Sequence, residues 1–322
     1  MAVSTGKGTI LVLGGTGFVG RAIVAKLVRK GYAVRVPTRN RQRSRRLLVL
    51  PGLDLVQADV HDTAQLPALL AGSDAVINLI GILNERGHDG SGFRRVHVEL
   101  AEKLMAACRN VGVRRLIQMS ALKANAERGA SHYLTTKGQA EQVIRGQAGE
   151  SIRYTIFRPS VIFGPDDTFL NRFAGILRRT PVLPLARLDA RFAPVYVDDV
   201  AEAFVRALPD SRTFGKTYEL CGPDIYTLEE ILRFVCRETG IRRAIVNLPG
   251  PLGRLQAWVG EYLLPGKPFS RDNFRSLAVA SVCRENAFPA LGIRPHRMQS
   301  VAGTYLGRGI DELSAIRQGS RT

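Results

Sequence analysis

The sequence predicts an α/β protein: a doubly wound parallel sheet followed by a smaller C-terminal lobe. Three features of the 322 residues carry that expectation. A glycine-rich turn separates a strand-like run from a helix-like run near the start. Strand-like and helix-like segments then alternate through the first half. After residue 164 the alternation gives way to short segments broken by Pro181, Pro184 and Pro194. Alternation requires crossover helices, and these cover both faces of a parallel sheet. The expected division is a Rossmann domain over residues 8–164 and a lobe over 165–322, interleaved with the sheet near 194–220.

Each element follows from its own residues. Thr9–Leu13 is rich in β-branched residues and leucine and runs straight into glycines, as a buried first strand does. Arg21–Lys30 sets Ile23, Val24, Leu27 and Val28 at helical spacing. Between them stand Gly14, Gly17 and Gly20. In a strand–turn–helix setting the first glycine allows the tight turn. The second lets the backbone approach a pyrophosphate, and the third lets helix and strand pack closely. The free N–H groups and the positive dipole end of the helix then face the phosphates. Ala33–Val36 reads as the second strand, and Leu53–Gln57 as the third, closing at Asp59. Ala75–Ile80 is the fourth, closing at Gly81, and Val96–Asn110 is a helix. Leu116–Met119 is the fifth strand, closing at Ser120. Tyr133–Gly146 is a helix, and Tyr154–Phe157 is the sixth strand, closing at Arg158-Pro159. Ligands of such sheets lie outside the carboxyl ends of the strands, so these closing residues are the ones to weigh.

The second strand ends Pro37-Thr38-Arg39-Asn40. A carboxylate there would hold the 2′-hydroxyl of an NAD ribose and repel a 2′-phosphate. Arg39, beside Thr38, can instead grip that phosphate through two parallel hydrogen bonds. The expected cofactor is NADP(H) in preference to NAD(H). The arginines from Arg43 to Arg46 read as a solvated loop. Tyr133 and Lys137 stand one helical turn apart on one face. A nearby ammonium lowers a phenol pKa and makes Tyr133 a usable acid or base, while Lys137 can bond the nicotinamide ribose. Ser120 is placed to polarise a substrate carbonyl. These three are the candidate catalytic residues, and Gly81 joins the cofactor set. Cys108, Cys221, Cys236 and Cys283 lie far apart without a C-x-x-C pair. That spacing argues against a disulfide framework and a zinc site, and for a reducing cytosol.

Gly14-x-x-Gly17-x-x-Gly20, Tyr133-x-x-x-Lys137 and Arg158-Pro-Ser-Val-Ile-Phe-Gly164 resemble the extended and atypical short-chain dehydrogenase/reductases. Three further stretches are similar to one branch of them: Val76–Gly81, Phe163–Phe173 and Pro194–Val200. That branch holds the nucleotide-binding accessory subunits of respiratory complex I and their bacterial relatives. The resemblance implies a Rossmann domain with a small lobe. It also implies a tightly held NADPH touching Gly14, Thr16, Gly17, Phe18, Val19, Arg39, Asp59, Val60, Ile80, Tyr133, Lys137 and Pro159. A structural or regulatory role follows from it, as does a partner in complex I or another quinone-linked membrane complex. The segment between Ser120 and Tyr133 is short for a nucleotide-sugar enzyme, which argues against sugar epimerisation.

In the lobe, Asn171–Arg178 reads as a helix, Val195–Val197 as a strand, Asp199–Leu208 as a helix and Tyr218–Cys221 as a strand. Thr227-x-x-Glu230 is a capping box that opens a helix with Leu228, Ile231, Leu232 and Val235 inward. Asp198 and Asp199 read as a helix cap and loop anchor rather than a catalytic pair. In residues 249–269, Leu252, Leu255, Val259 and Tyr262 recur at helical spacing beside Trp258. The stretch packs on the lobe or a partner, or it lies in a membrane interface. The residues after Arg308 are expected to fray.

Lys and Arg total 46 against 28 acids, a net charge of +18, with only eight lysines. The excess of arginine suits anionic partners, including an anionic membrane surface. Nucleic acid fits poorly, because the aromatics that stack bases are not interleaved with the basic residues. Mean hydropathy is −0.02, and no apolar run nears the ~20 residues of a membrane span. The N-terminal stretch resembles no export signal. The expected location is the cytoplasm, peripheral on the inner face of the cytoplasmic membrane. Two functions stand open. One is an NADP(H)-holding accessory or assembly protein of complex I. The other is an NADPH-dependent oxidoreductase acting on a quinone-like or other lipophilic carbonyl.

Overall fold

The computed structural model describes residues 7–85, 87–262 and 269–306. In chain order the strands are β1 (Thr9–Leu13), β2 (Ala33–Thr38), β3 (Leu53–Gln57), β4 (Ala75–Asn78), β5 (Arg115–Met119), β6 (Arg153–Pro159), β7 (Ile162–Phe163), β8 (Val182–Ala186), β9 (Arg191–Phe192), β10 (Val195–Tyr196), β11 (Lys216–Leu220), β12 (Tyr226–Thr227) and β13 (Ala244–Leu248). The helices are α1 (Phe18–Arg29), α2 (Leu66–Leu70), α3 (Ser91–Arg94), α4 (Leu100–Val111), α5 (His132–Ala148), α6 (Leu170–Arg179), α7 (Val197–Ala207), α8 (Leu228–Glu238), α9 (Gly250–Tyr262), α10 (Arg271–Ser276) and α11 (Met298–Leu306). A π-helical turn, Arg95–Glu99, joins α3 to α4.

The chain forms two compact units. The first takes the residues up to Pro159, then Asp198–Leu220 and Glu285–Ile293. The second takes Ser160–Val197, Cys221–Arg284 and the residues from Arg294 onward.

The first unit is built on a seven-stranded sheet in the order β11-β6-β5-β4-β1-β2-β3. Every neighbouring pair in it is parallel. Leu11, Leu13, Val76, Leu116 and Ile156 of the strands pack against Leu104 and Met105 of α4 and Ile144 of α5. From β1 the chain winds outward through β2 and β3, then returns to β4 on the other side of β1. The order reverses between β1 and β4, which is where such sheets open a crevice at their carboxyl edge. The Rossmann expectation is met, and the strand at Tyr218–Cys221 is the outermost strand of this sheet. Arg115 is buried in β5 and donates to the Arg153, Ala207 and Leu208 carbonyls and to Thr155 Oγ1.

The second unit holds three two-stranded pairs, β10-β7, β12-β9 and β13-β8. Its core joins Phe163, Leu170, Leu177, Ile231, Leu232, Val235 and Met298. The capping box forms as expected: Thr227 Oγ1 accepts from Glu230 N at 3.2 Å, and Thr227 N donates to the Glu230 carboxylate at 2.7 Å. In the first unit, Asp198 and Asp199 lie within the first turn of α7 rather than ahead of it, where their charge suits the dipole. Asp167 is buried and accepts from the backbone N–H groups of Gly164, Phe169 and Asn171 and from Tyr305 Oη. The Phe163–Phe173 stretch is therefore a self-capping entry to α6.

One expectation is corrected in this unit. Cys221 and Cys283 form a disulfide. Their separation of 62 residues hid the pairing, because the fold folds both back to a Cα–Cα distance of 6.0 Å. The pairing removes the spacing argument for a reducing compartment. Residues 250–262 form a helix that packs on the lobe beside α10, with Arg271 Nη2 donating to Tyr262 Oη at 2.8 Å, while Leu252, Leu255, Trp258 and Tyr262 each stay 44–55% exposed. The small residues Gly253, Ala257 and Gly260 face inward instead. Residues 263–268 of that stretch, and those after Leu306, lie outside the described residues. Among the described residues no helix is long and apolar enough to cross a membrane.

Candidate functional site

The predicted residues gather along the carboxyl edge of the first unit's sheet. β1 ends at Leu13 and the chain turns through Gly14, whose φ is +78°, a conformation open chiefly to glycine. Gly17 N donates to Gly14 O at 3.0 Å, and Gly17 caps α1 in an extended conformation without any side-chain cap. The first turn of α1 carries no acid, so its unpaired N–H groups and dipole are left for an anion. Gly20 lies against the turn so closely that a Cβ would stand 2.2 Å from Gly14 O and 2.6 Å from the Gly15 Cα. Gly17 is exposed, Thr16 and Phe18 are half-buried, and Val19 is buried. Arg21 Nη1 donates to Thr16 O at 3.1 Å and braces the turn. A glycine turn running into a bare helix N-terminus is the kind of place where backbone N–H groups meet an anion.

Beyond it, β2 closes at Thr38, whose hydroxyl accepts from Asn40 N at 3.3 Å. Arg39 is exposed and makes no hydrogen bond or ion pair among the described residues. Arg43 and Arg45 belong to a short 3₁₀ turn, Gln42–Leu47, in place of the expected loop. After β3, Asp59 Oδ1 accepts from His61 N at 3.0 Å, and Asp59 N donates to the Gln65 side chain at 3.1 Å, which fixes Val60 between them. After β4, Ile80 N donates to Asn78 Oδ1 at 3.2 Å, and Gly81 is exposed. Pro159 is the buried last residue of β6.

Lys137 stands at the centre of this edge. It is buried, and its ammonium donates to Met119 O at 3.2 Å and lies 3.5 Å from Ile80 O, bridging the ends of β5 and β4. A Cβ on Gly81 would come within 2.9 Å of its Nζ, so glycine keeps the approach to the ammonium open. Burial lowers its pKa to about 8, with Glu141 pulling the other way. Tyr133 lies one turn before it on α5. Burial pushes its phenol pKa up to about 12.

Ser120, the expected electrophile, directly follows β5 and is buried. Its hydroxyl donates to Glu141 Oε1 at 2.5 Å, so its one proton is committed. Glu141 is fully buried and also accepts from Arg158 Nε at 2.7 Å and Arg145 Nη2 at 2.8 Å. That carboxylate raises the pKa of Arg158. Ser120 thus belongs to an ion-pair hub that ties α5 to β6.

Sequence reasoning missed His97. It sits in the π-helical turn, and its Nε2 accepts from Ile82 N at 3.3 Å while Nδ1 lies 2.9 Å from Thr136 Oγ1. An Nε2 that accepts leaves the proton on Nδ1, which then donates to Thr136. Burial, reinforced by the Lys137 charge, lowers its pKa to about 2, so the ring is neutral. The His97 ring meets Tyr133 edge-on at 5.7 Å, and Phe93 completes the cluster at 6.2 Å from Tyr133. His97 therefore backs Tyr133 and ties down the segment beside Gly81. A lone histidine on an apolar helix face carries no sequence motif; the π-helical turn that aims it became visible only in the fold.

A parallel sheet, a glycine turn into a helix N-terminus and a Tyr-x-x-x-Lys helix beside it define the short-chain dehydrogenase/reductase class. The NAD dependent epimerase/dehydratase family matches residues 10–221, and the chain belongs to it. It is 33% identical over 313 residues to the NADH dehydrogenase [ubiquinone] 1 alpha subcomplex subunit 9 of Arabidopsis thaliana mitochondria, covering 92% of this chain and 76% of that protein. It is 30% identical over 260 residues to the ceramide reductase of Caulobacter vibrioides, covering 76% and 75%. Among solved structures, MoeE5 in complex with UDP-glucose and NAD aligns with a TM-score of 0.73 at 18% identity, covering 93% of this chain and 97% of that one. At that identity the likeness establishes the fold.

Proposed function

We propose that the chain is an NADP(H)-binding accessory or assembly protein of the complex I type, holding its nucleotide for structure or regulation at a membrane surface. The observation that carries this reading is an imbalance within the site. The glycine turn and the α1 N-terminus offer backbone N–H groups to a pyrophosphate, whereas the Ser120 hydroxyl is bonded to Glu141. Likeness to the mitochondrial subunits over most of the chain supports the same reading. In it, the α1 N-terminus with Gly14, Thr16, Gly17, Phe18, Val19 and Gly20 takes the pyrophosphate. Arg39, with Thr38, pairs with the 2′-phosphate, and Asp59 and Val60 border the adenine. Ile80, Gly81, Pro159, Tyr133 and Lys137 line the nicotinamide end, where the Lys137 ammonium donates to ribose hydroxyls. Bound NADPH would supply a hydride. The partner is complex I or another quinone-linked membrane complex, and the place is the inner face of the cytoplasmic membrane.

A second reading is an NADPH-dependent reductase of a quinone-like or other lipophilic carbonyl. The Tyr133–Lys137 pair beside the cradle and the likeness to a ceramide reductase favour it. One experiment separates the two. The purified protein's bound nucleotide is identified, and its absorbance is followed after addition of a short-chain quinone. NADPH that stays reduced and does not exchange supports the accessory protein; steady oxidation with turnover supports the reductase. Recovery of NAD(H) alone would refute the cofactor assignment.

A further inference from the structure

We propose that the outward face of α9 is a docking surface for an anionic lipid membrane. This deepens the peripheral-membrane part of the reading above and is independent of the nucleotide.

Helix α9 reverses the usual arrangement of a surface helix, in which large apolar residues point inward. Its inner side is Gly253, Ala257 and Gly260, and the fit leaves no room for anything larger. A Cβ on Gly253 would stand 2.3 Å from Ala186 Cβ, and one on Gly260 would stand 2.4 Å from Phe269 O. The helix cannot roll to bury its large side chains. Leu252, Leu255, Trp258 and Tyr262 are held outward at helical spacing, each 44–55% exposed. The helix also lies along a strand pair that extends the face. Gly253 meets Ala186 and Gln256 Nε2 donates to Pro184 O, so α9 runs back along β8. Val182 and Val246 lie on the same side of the strand pair as Ala186, because Ala186, Pro184 and Val182 alternate to one side and Val246 pairs with Pro184. Both valines are 45% exposed.

The charge around this face selects its partner. The only acid of α9 is Glu261, which is buried and bonded to Arg271 Nε at 2.9 Å. Arg254 is exposed among the apolar residues of the helix. Arg178 and Arg179 precede β8, Arg242 and Arg243 precede β13, and all four are exposed at the same end of the strand pair. An apolar face with Trp and Tyr, whose helix carries one buried acid and which has arginines on the helix and at one end of the strand pair, matches the boundary between headgroups and acyl chains of an anionic bilayer.

Trp258 is the only tryptophan of the chain, so its fluorescence reports on this face alone. The full-length protein is mixed with vesicles of phosphatidylcholine containing about one-third phosphatidylglycerol, and with vesicles of phosphatidylcholine only. A blue shift, with flotation of the protein, is expected on the anionic vesicles, and both should fall at least tenfold as salt rises from low to high, since Debye screening shortens within that range. Leu255→Glu alters an exposed side chain and keeps Trp258 as the probe; it should abolish the shift while leaving the melting temperature in place. Double substitution Arg242→Glu and Arg243→Glu should weaken binding without changing emission in solution. No shift and no flotation would overturn the proposal, as would equal binding to neutral vesicles. A blue shift that grows with protein concentration in the absence of lipid would assign the face to a second copy of the chain, and would equally overturn it.

Discussion

Arg39 follows β2 in the sequence Pro37-Thr38-Arg39-Asn40, with no acid in that run, and it is exposed with no hydrogen bond or ion pair among the described residues. Arg39→Asp should weaken NADPH binding by roughly tenfold to a hundredfold, because a charge-assisted contact is worth about 1.5–3 kcal/mol, and should spare NADH. Parallel titrations check it, and equal losses for both nucleotides would refute the assignment. Lys137 makes a second prediction. Burial depresses its folded pKa from 10.5 to about 8. Between those values the unfolded chain binds more protons than the folded one, so this group makes stability rise with pH across that window. Lys137→Met removes the contribution. The stability of wild type relative to the variant, from denaturant midpoints, should therefore climb between pH 8 and 10; a constant difference would count against the buried ammonium. Tyr133→Phe should leave nucleotide affinity nearly unchanged, since the ring against His97 remains. Most of this edge was legible in the sequence, because the glycine spacing, the basic strand end and the Tyr-x-x-x-Lys step are local patterns. The direction of the Ser120 hydroxyl was not, since it depends on Glu141 lying 21 residues away. His97 was illegible for the same reason, its role being set by a backbone N–H 15 residues earlier.

Elements show the same division between local and distant causes. The capping box of α8 and its inward residues follow from four letters and a period, and they form as read. For α9 the period identifies which residues share a face, yet it cannot tell whether that face turns in or out. Packing of Gly253 and Gly260 decides it, and neither glycine signals its neighbour in the sequence. The entry to α6 carries a stability prediction. Asp167 is buried with three backbone N–H groups and Tyr305 bonded to it. Asp167→Ala leaves those donors without an acceptor and should cost about 2–4 kcal/mol, read as a lowered denaturation midpoint. Asp167→Asn, which keeps an acceptor oxygen, should recover part of the loss; identical behaviour of the two variants would show that the carboxylate does not organise the turn.

At the scale of the molecule, the disulfide closes the segment from Cys221 to Cys283 within the second unit. Cross-linking a loop of this length restricts the unfolded chain, and its removal typically costs about 2–4 kcal/mol. Cys283→Ser should lower the melting temperature under oxidising conditions and match the wild type under reducing ones. A variant indistinguishable from wild type in both would show that the pair contributes nothing. The order of the sheet has a consequence for synthesis on the ribosome. β6 is complete by Pro159, but its outer neighbour β11 is not made until Leu220, after residues 160–197 have been laid down for the other unit. At about 5–20 residues per second the nascent chain carries β6 as a bare edge for several seconds. Ile156 and Phe157, fully buried at the end, lie along that edge while it waits. An unpaired apolar edge is a template for joining another chain. Translation stalls within residues 160–215 would thus produce the most aggregation-prone form of this protein, and a chaperone that shields strand edges would matter most during that interval.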